Sequence, residues 1–462
     1  MKSFFQPLGS QSYGKNASIP SASEFSTLKE TILRELDNYE KQLKNQDVEP
    51  PFLSESRPHP QLDNPEFLPS HELFQCRRTL LGALGMMSDL VLGPTEKLIK
   101  DTLSHHLTTA INIATRLNIA DHLEKAGPKG MTSQELREVT GTNSDRITKT
   151  LRFLSNNNLF SEVEEGRFAN NRFSICLIDG SPLKSWSTWQ TSFSLKSAPL
   201  VPENWTDEET TDDFDIRAAA PQKAYGIPYN MNIWSFGAKH MFKQFVEFGE
   251  AMTAYGSSGI AGLLADFPWN GFQEGTTIVD VGGGKGAMLL PILKNYKHLK
   301  GVVQDLESTV PQAKENFETR CPEAIQEGRV EFQAIDFFQP QPRSGEKLVY
   351  MLRWVIHDWN DEESVKILTN QANAMSEDSR LLIIDTILQP AIKDKTIPRS
   401  GGLAGQTLLL VDFEMMAAIN ATERTVQQVE NLLRRSGLVL EKVYSPGSSF
   451  RSPHGVIVAR KA

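Results

Sequence analysis

Cysteine is scarce in this chain: Cys76, Cys176 and Cys321 are the only three in 462 residues, odd in number and far apart. That excludes a disulfide framework and zinc-finger spacing, and it favours a reducing compartment. Positive charge is also in deficit. Lys and Arg number 48 against 57 Asp and Glu, a net charge of -9, which argues against a general binder of nucleic acid or of an anionic membrane. No run is long and apolar enough to span a bilayer, and the start, Met1 to Pro7, lacks the apolar core of a secretion signal. A cytoplasmic location is the expectation. There is no internal repeat, and no group of acids and histidines at ligand spacing, so no metal is expected. What is present is an ordinary globular composition, 39% hydrophobic and 23% charged, with length for two or three domains.

Pattern divides the chain into four parts. Residues 1–70 form a tail rich in Ser, Gln, Pro and Gly, expected to be mobile over 1–22, then a helix from Ser26 to Leu43 and a proline-containing arm from Val48 to Ser70. Residues 71–190 read as helices from Glu72 to Val91 and Thr95 to Leu123, followed by a winged helix. In that block Thr132 and Glu135 form a capping box, Asp145 to Ser155 is a third helix, and Leu159–Val163 and Arg167–Phe173 make a small hairpin. Arg146, Lys149 and Arg152 suit DNA, but Glu162, Glu164 and Glu165 load the wing with the wrong sign; a dimerisation role fits better. Residues 191–265 hold an acidic stretch, Pro199 to Asp215, expected as a surface loop, and a helix from Phe236 to Ala254. Residues 266–462 alternate strands and helices, the signature of an α/β doubly wound sheet.

The chemistry gathers in this last part. The run Thr276-Thr-Ile-Val-Asp280-Val-Gly282-Gly283-Gly284-Lys-Gly286 is a strand that breaks into glycines, where backbone approaches a ligand closely. Gly282, Gly284 and Ala287 also satisfy a dinucleotide fingerprint, with Asp305 near the place of a ribose-binding acid, so a nicotinamide oxidoreductase is one reading. Asp280 inside the strand, suited to an amine or a bound water, and Asp336 with Phe337 at the end of a third strand, suited to an adenine, favour S-adenosylmethionine instead. Arg353-Trp354-Val-Ile-His357-Asp-Trp359 follows a fourth strand and puts His357 at the ligand edge, where a base takes a proton near neutral pH. Asp385 and Glu423 are carboxylates able to orient that ring.

These segments, Asp280 to Gly286, Gln304-Asp305-Leu306, Asp336-Phe337, Arg353 to Trp359 and Glu423-Arg-Thr425, resemble the plant and fungal small-molecule O-methyltransferases of the caffeate and polyketide type, over roughly residues 105–462. The resemblance implies a winged-helix dimerisation domain before a class I methyltransferase domain with a Rossmann-like sheet. It also implies a homodimer. Gly282, Gly283, Asp305, Asp336, Phe337 and Arg353 would contact S-adenosylmethionine, with Asp280, Gly284 and Leu306 in the same cradle. His357 would be the base, flanked by Asp385 and Glu423. Plant relatives usually carry glutamate at Asp385 and lysine at Arg353, so both contacts differ here. Trp234, Met241, Phe245, Met252, Trp354, Met415 and Met416 are candidates to line a pocket for a phenolic substrate, beside ordinary core packing. Two further readings stand at this stage: a methyltransferase fold with altered chemistry, and a winged-helix regulator of DNA.

Overall fold

The protein is described by a computed structural model over residues 23–257, 259–392, 397–446 and 449–462. The expected mobile tail, 1–22, lies outside the described residues, as do residues 393–396.

Three short strands, β1 (Met131–Thr132), β2 (Ser161–Glu164) and β3 (Arg167–Ala169), pair antiparallel in the order β1-β3-β2. Around them Ile119, Leu123, Leu136, Ile147, Leu151, Leu154, Phe160 and Phe168 bury a single core. The capping box forms: Thr132 accepts from the Glu135 amide and Glu135 accepts from the Thr132 amide, satisfying two end donors, typically ~1 kcal/mol for such a cap. Arg152 is tied to Glu162 of the wing at 2.6 Å, which removes one of the three cations considered for DNA.

The long apolar pattern from Thr95 to Leu123 is cut into helices Pro94–Thr102, His105–Arg116 and Ile119–Ala126, the second cut falling at Asn118, whose φ of 48° is left-handed. The pattern from Phe236 to Ala254 likewise breaks at Met241, between helices Ile233–His240 and Phe242–Ser257. Within the acidic stretch expected to be a loop there is a helical turn, Val201–Thr206, anchored by buried Val201 and by Asn204, whose amide donates to the Ala218 carbonyl.

Seven strands build the large sheet: β4 (Thr277–Val281), β5 (Lys300–Asp305), β6 (Val330–Ala334), β7 (Leu348–Arg353), β8 (Arg380–Asp385), β9 (Leu438–Tyr444) and β10 (Gly455–Lys461), in the order β6-β5-β4-β7-β8-β10-β9. The four pairings from β6 to β8 run parallel, and β10 pairs antiparallel with β8 and with β9. Central strands covered on both faces must be apolar at nearly every position, and Ile278, Val279, Val281, Leu381, Leu382, Ile383 and Ile384 are all buried. Near the carboxyl end of β5, Gln304, Gln341 and Gln371 form a buried amide chain: Gln341 exchanges two hydrogen bonds with Gln304 (2.8 and 2.9 Å) and donates to Gln371 at 2.8 Å.

The proline-containing arm is fastened at two points. Arg172 holds Asp63 through bonds of 2.6 and 2.5 Å, and Arg451 donates to the Pro69 carbonyl while gripping Asp266. Helix His71–Val91 then meets the segment 401–405 so closely that a Cβ on Gly82 would lie 2.8 Å from the Gly401 carbonyl oxygen. Helix Pro94–Thr102 buries none of its residues; Leu98 and Ile99 on it, with Leu84, Leu90, Val91 and Leu103, are exposed. Among the described residues no helix is long and apolar enough to cross a membrane.

Candidate active site

The carboxyl ends of β4, β5, β7 and β8 converge on one edge, the edge where ligands of such sheets bind. At the end of β4, Gly282 has a φ of 69°, and a Cβ there would come 2.9 Å from Val355 Cγ2 and 3.5 Å from the Phe337 ring. A Cβ on Gly283 would meet the Asp280 carboxylate at 2.6 Å. Only glycine fits both places. Asp280 is buried, and its Oδ2 has no hydrogen-bond partner. Burial pushes its carboxyl up to about 7, with Arg353 pulling the other way. An unpaired buried carboxyl beside a glycine cradle fits the amine of an amino-acid-bearing nucleoside.

Asp305, at the end of β5, accepts from the Gly284 amide at 2.8 Å through Oδ2 and from the Leu306 amide at 2.8 Å through Oδ1. These bonds fix its orientation and leave lone pairs on both oxygens. Leu306 is 57% exposed beside it. Asp336 accepts from the Phe338 amide at 2.9 Å, and Phe337 stands edge-on to Phe338 and Trp359.

Beyond β7 the chain turns through Trp354, whose φ of 56° is strained for an aromatic residue. Asp385 holds this turn, accepting from the Trp354 amide at 2.8 Å. The Trp354 ring stacks on Tyr255 at 5.1 Å and on the Arg353 guanidinium at 4.1 Å, and meets His454 edge-on at 5.2 Å. Arg353 also donates to the Gly256 carbonyl at 2.6 Å, but its Nε is buried without a partner.

His357 follows on a short 3-10 turn, Ile356–Asp358. Its Nδ1 lies 2.8 Å from Glu423 Oε1, and its Nε2 lies 3.4 Å from Asp358. Burial alone would depress this imidazole; Glu423 first, then Asp358 and Asp385, outweigh it and push it up to about 10. Glu423 is itself held: its amide donates to Asp412 at 2.9 Å, and Asp412 sits on helix Gln406–Ile419. So of the two expected orienting carboxylates one touches the ring. Asp385 does not hydrogen-bond His357; its shorter side chain is occupied by Trp354, and it acts on the imidazole through charge alone.

Of the expected pocket residues, Trp354 is at the site. Trp234, Met241, Phe245 and Met415 join one apolar cluster with Trp189, Phe193, Ile227 and Ala421, and Ala421 and Thr422 are the two residues before Glu423 in sequence. Met252 and Met416 are partly buried on their helices. Three residues at the site were not singled out from sequence: Tyr255, Asp412 and His454. Burial, with Arg353 and His357 nearby, pushes His454 down to about 3, so its ring is neutral, and neither ring nitrogen has a partner. Nothing local marks it; it lies in a Ser-Pro turn before β10. Among the described residues no group of acids, histidines and cysteines is arranged to hold a metal.

Most of the chain is similar to known proteins. The O-methyltransferase domain matches residues 211–439 and the O-methyltransferase dimerisation domain matches residues 101–180. A curated O-methyltransferase, gedA of Aspergillus terreus, is 29% identical over 416 residues, covering 82% of this chain and 85% of its own. Among solved structures, the mitomycin 7-O-methyltransferase MmcR is similar at a TM-score of 0.64 and 24% identity, over 80% of this chain and 98% of that one. A pericyclic reaction enzyme is similar at a TM-score of 0.66 and 19% identity, over 84% and 94%. At such identities the likeness is one of fold, and the fold is shared by more than one chemistry.

Proposed function

This chain belongs to the S-adenosylmethionine-dependent O-methyltransferase family, and from that premise we propose that it methylates a phenolic hydroxyl of a small aromatic metabolite with His357 as general base. S-adenosylmethionine supplies an already activated methyl group. The chain's own task is to bind, align and deprotonate. Asp280 would take the amino-acid end, Gly282 and Gly283 the backbone approach, Asp305 the ribose hydroxyls, and Asp336, Phe337 and Leu306 the adenine. Arg353 adds a fixed cation beside Asp280.

The observation that carries the reading is the His357–Glu423 pair at the carboxyl edge of the sheet. With Nδ1 committed to Glu423, Nε2 is the nitrogen that receives the phenolic proton, and the carboxylate stabilises the imidazolium that results. Trp354, Met252, Met415 and Met416 offer flat and adaptable apolar surface to an aromatic ring. His357→Ala should lower turnover of an ordinary phenol by about 10²–10⁴-fold while calorimetry finds S-adenosylmethionine affinity nearly intact. Wild-type turnover in that variant would make His357 structural.

A homodimer completes the proposal. The exposed apolar residues from Leu84 to Leu103 adjoin the matched dimerisation domain, and burying them between two copies accounts for their character. Light scattering on the full chain checks it; a monomer mass refutes it.

A further inference from the structure

Helix Gln406–Ile419 has two working faces. One carries Asp412, which holds Glu423, with Met415, Met416 and Ile419 on the same side at helical spacing. The opposite face, Phe413, Glu414, Ala417 and Ala418, borders a separate cavity of about 150 Å³. Across from it stand Phe193, Ser194, Ala198, Val201 and Pro221. None of these residues lines the small space beside His357 and Asp385.

The walls are almost entirely apolar, apart from Glu414 and the hydroxyls of Ser194 and Ser197. No basic side chain borders the cavity. A carboxyl in such surroundings is costly unless something hydrogen-bonds it. Burial pushes Glu414 up, towards the neutral form that both donates and accepts. The Ser194 hydroxyl is buried beside it and within reach of the Glu414 carboxyl, which it pulls back towards the charged form. Ser194 also ends a π-helical turn, Gln190–Ser194, a backbone irregularity that is frequent at functional sites. An apolar space of this size accommodates a benzene ring.

We propose that this cavity is a second small-molecule site, distinct from the methyl-transfer cleft, that takes a neutral single-ring aromatic bearing one hydrogen-bonding substituent. The ring lies against Phe413 and the edge of Phe193, whose two faces are stacked on Trp189 and Tyr225, and the substituent meets Glu414 and Ser194. The site is independent of the chemistry at His357: it stands or falls on binding, whatever the enzyme methylates.

The test uses 4-bromophenol soaked into crystals of the full chain, with 4-fluorophenol titrated in solution by fluorine NMR. Bromine density against Phe193 and Ala417, and a bound fluorine signal that survives in His357→Ala, are expected. Ala417→Phe, which fills the cavity, should abolish that signal; Ala198→Leu does the same from the opposite wall should the first variant not fold. Glu414→Leu should weaken binding at this site about tenfold. The proposal is overturned if wild-type protein shows no ligand in the cavity, if the signal persists unchanged in both filling variants, or if a second copy of the chain occupies the space. Absence of phenol beside His357 would count against the methylation reading and leave this result untouched.

Discussion

Glu423 reaches His357 across 66 residues of sequence and bonds its Nδ1 at 2.8 Å, whereas Asp385, on the strand beside β7, is turned to the Trp354 amide. The two carboxylates thus divide the work. One sets the imidazole, and the other sustains the strained turn that carries it.

Neutralising each acid separates these roles. Glu423→Gln should lower the His357 pKa markedly and reduce turnover, because the anion at hydrogen-bond distance is gone. Asp385→Asn keeps an acceptor for Trp354 and should do much less to either; Asp385→Ala should cost about 1 kcal/mol of stability, since the Trp354 amide keeps only its 3.2 Å bond to the Ile384 carbonyl. Histidine NMR and chemical denaturation read both effects. Equal pKa shifts in Glu423→Gln and Asp385→Asn would contradict the assignment.

The pH dependence has a definite sign. His357 rises from the ordinary 6.5 to about 10 on folding, so its pairing stabilises fully below 6.5 and that contribution is lost as pH climbs towards 10. Turnover should move the other way, increasing with pH as the neutral base becomes available. A sulfonium cation nearby disfavours the imidazolium, so the His357 pKa should be lower with S-adenosylmethionine than with the uncharged thioether S-adenosylhomocysteine. Identical titrations with the two ligands would remove His357 from the neighbourhood of the sulfur.

Gln341→Leu should destabilise the protein by about 1–3 kcal/mol, since the buried side-chain oxygens of Gln304 and Gln371 lose their shared donor while Gln304 Nε2 keeps Gln333. Urea unfolding measures this. A neutral outcome would mean that those amides find other partners.

Arg451→Met removes the guanidinium that grips Asp266, whose side chain is 3% exposed, and leaves it the Arg451 amide and His71 at 3.3 Å. Breaking a buried pair from one side typically costs about 3–5 kcal/mol. Burial alone would raise Asp266, but Arg451 more than offsets it and holds the carboxyl below its ordinary 3.8. The pair therefore stabilises above that value and fails on acidification. Denaturation midpoints of wild type and variant should converge as pH falls; a constant gap would show that the loss is packing, not charge.

Local spacing in the sequence was enough for the parallel sheet and for much of its ligand edge. Strands buried on both faces must be apolar throughout, which marks β4, β7 and β8, and a glycine run after a strand allows few other geometries. Asp280, Asp305, Asp336 and His357 follow from their places at strand ends. Spacing did not decide which carboxylate meets His357, because that depends on how the turn after helix Gln406–Ile419 docks on the sheet. Nor did it give the breaks at Asn118 and Met241, where apolar periodicity runs on but tertiary packing demands a change of direction. Tyr255 and His454 come from segments about 200 residues apart and meet only around the Trp354 ring. Their polar atoms acquire meaning from burial, a property of the folded chain that no neighbouring residue announces.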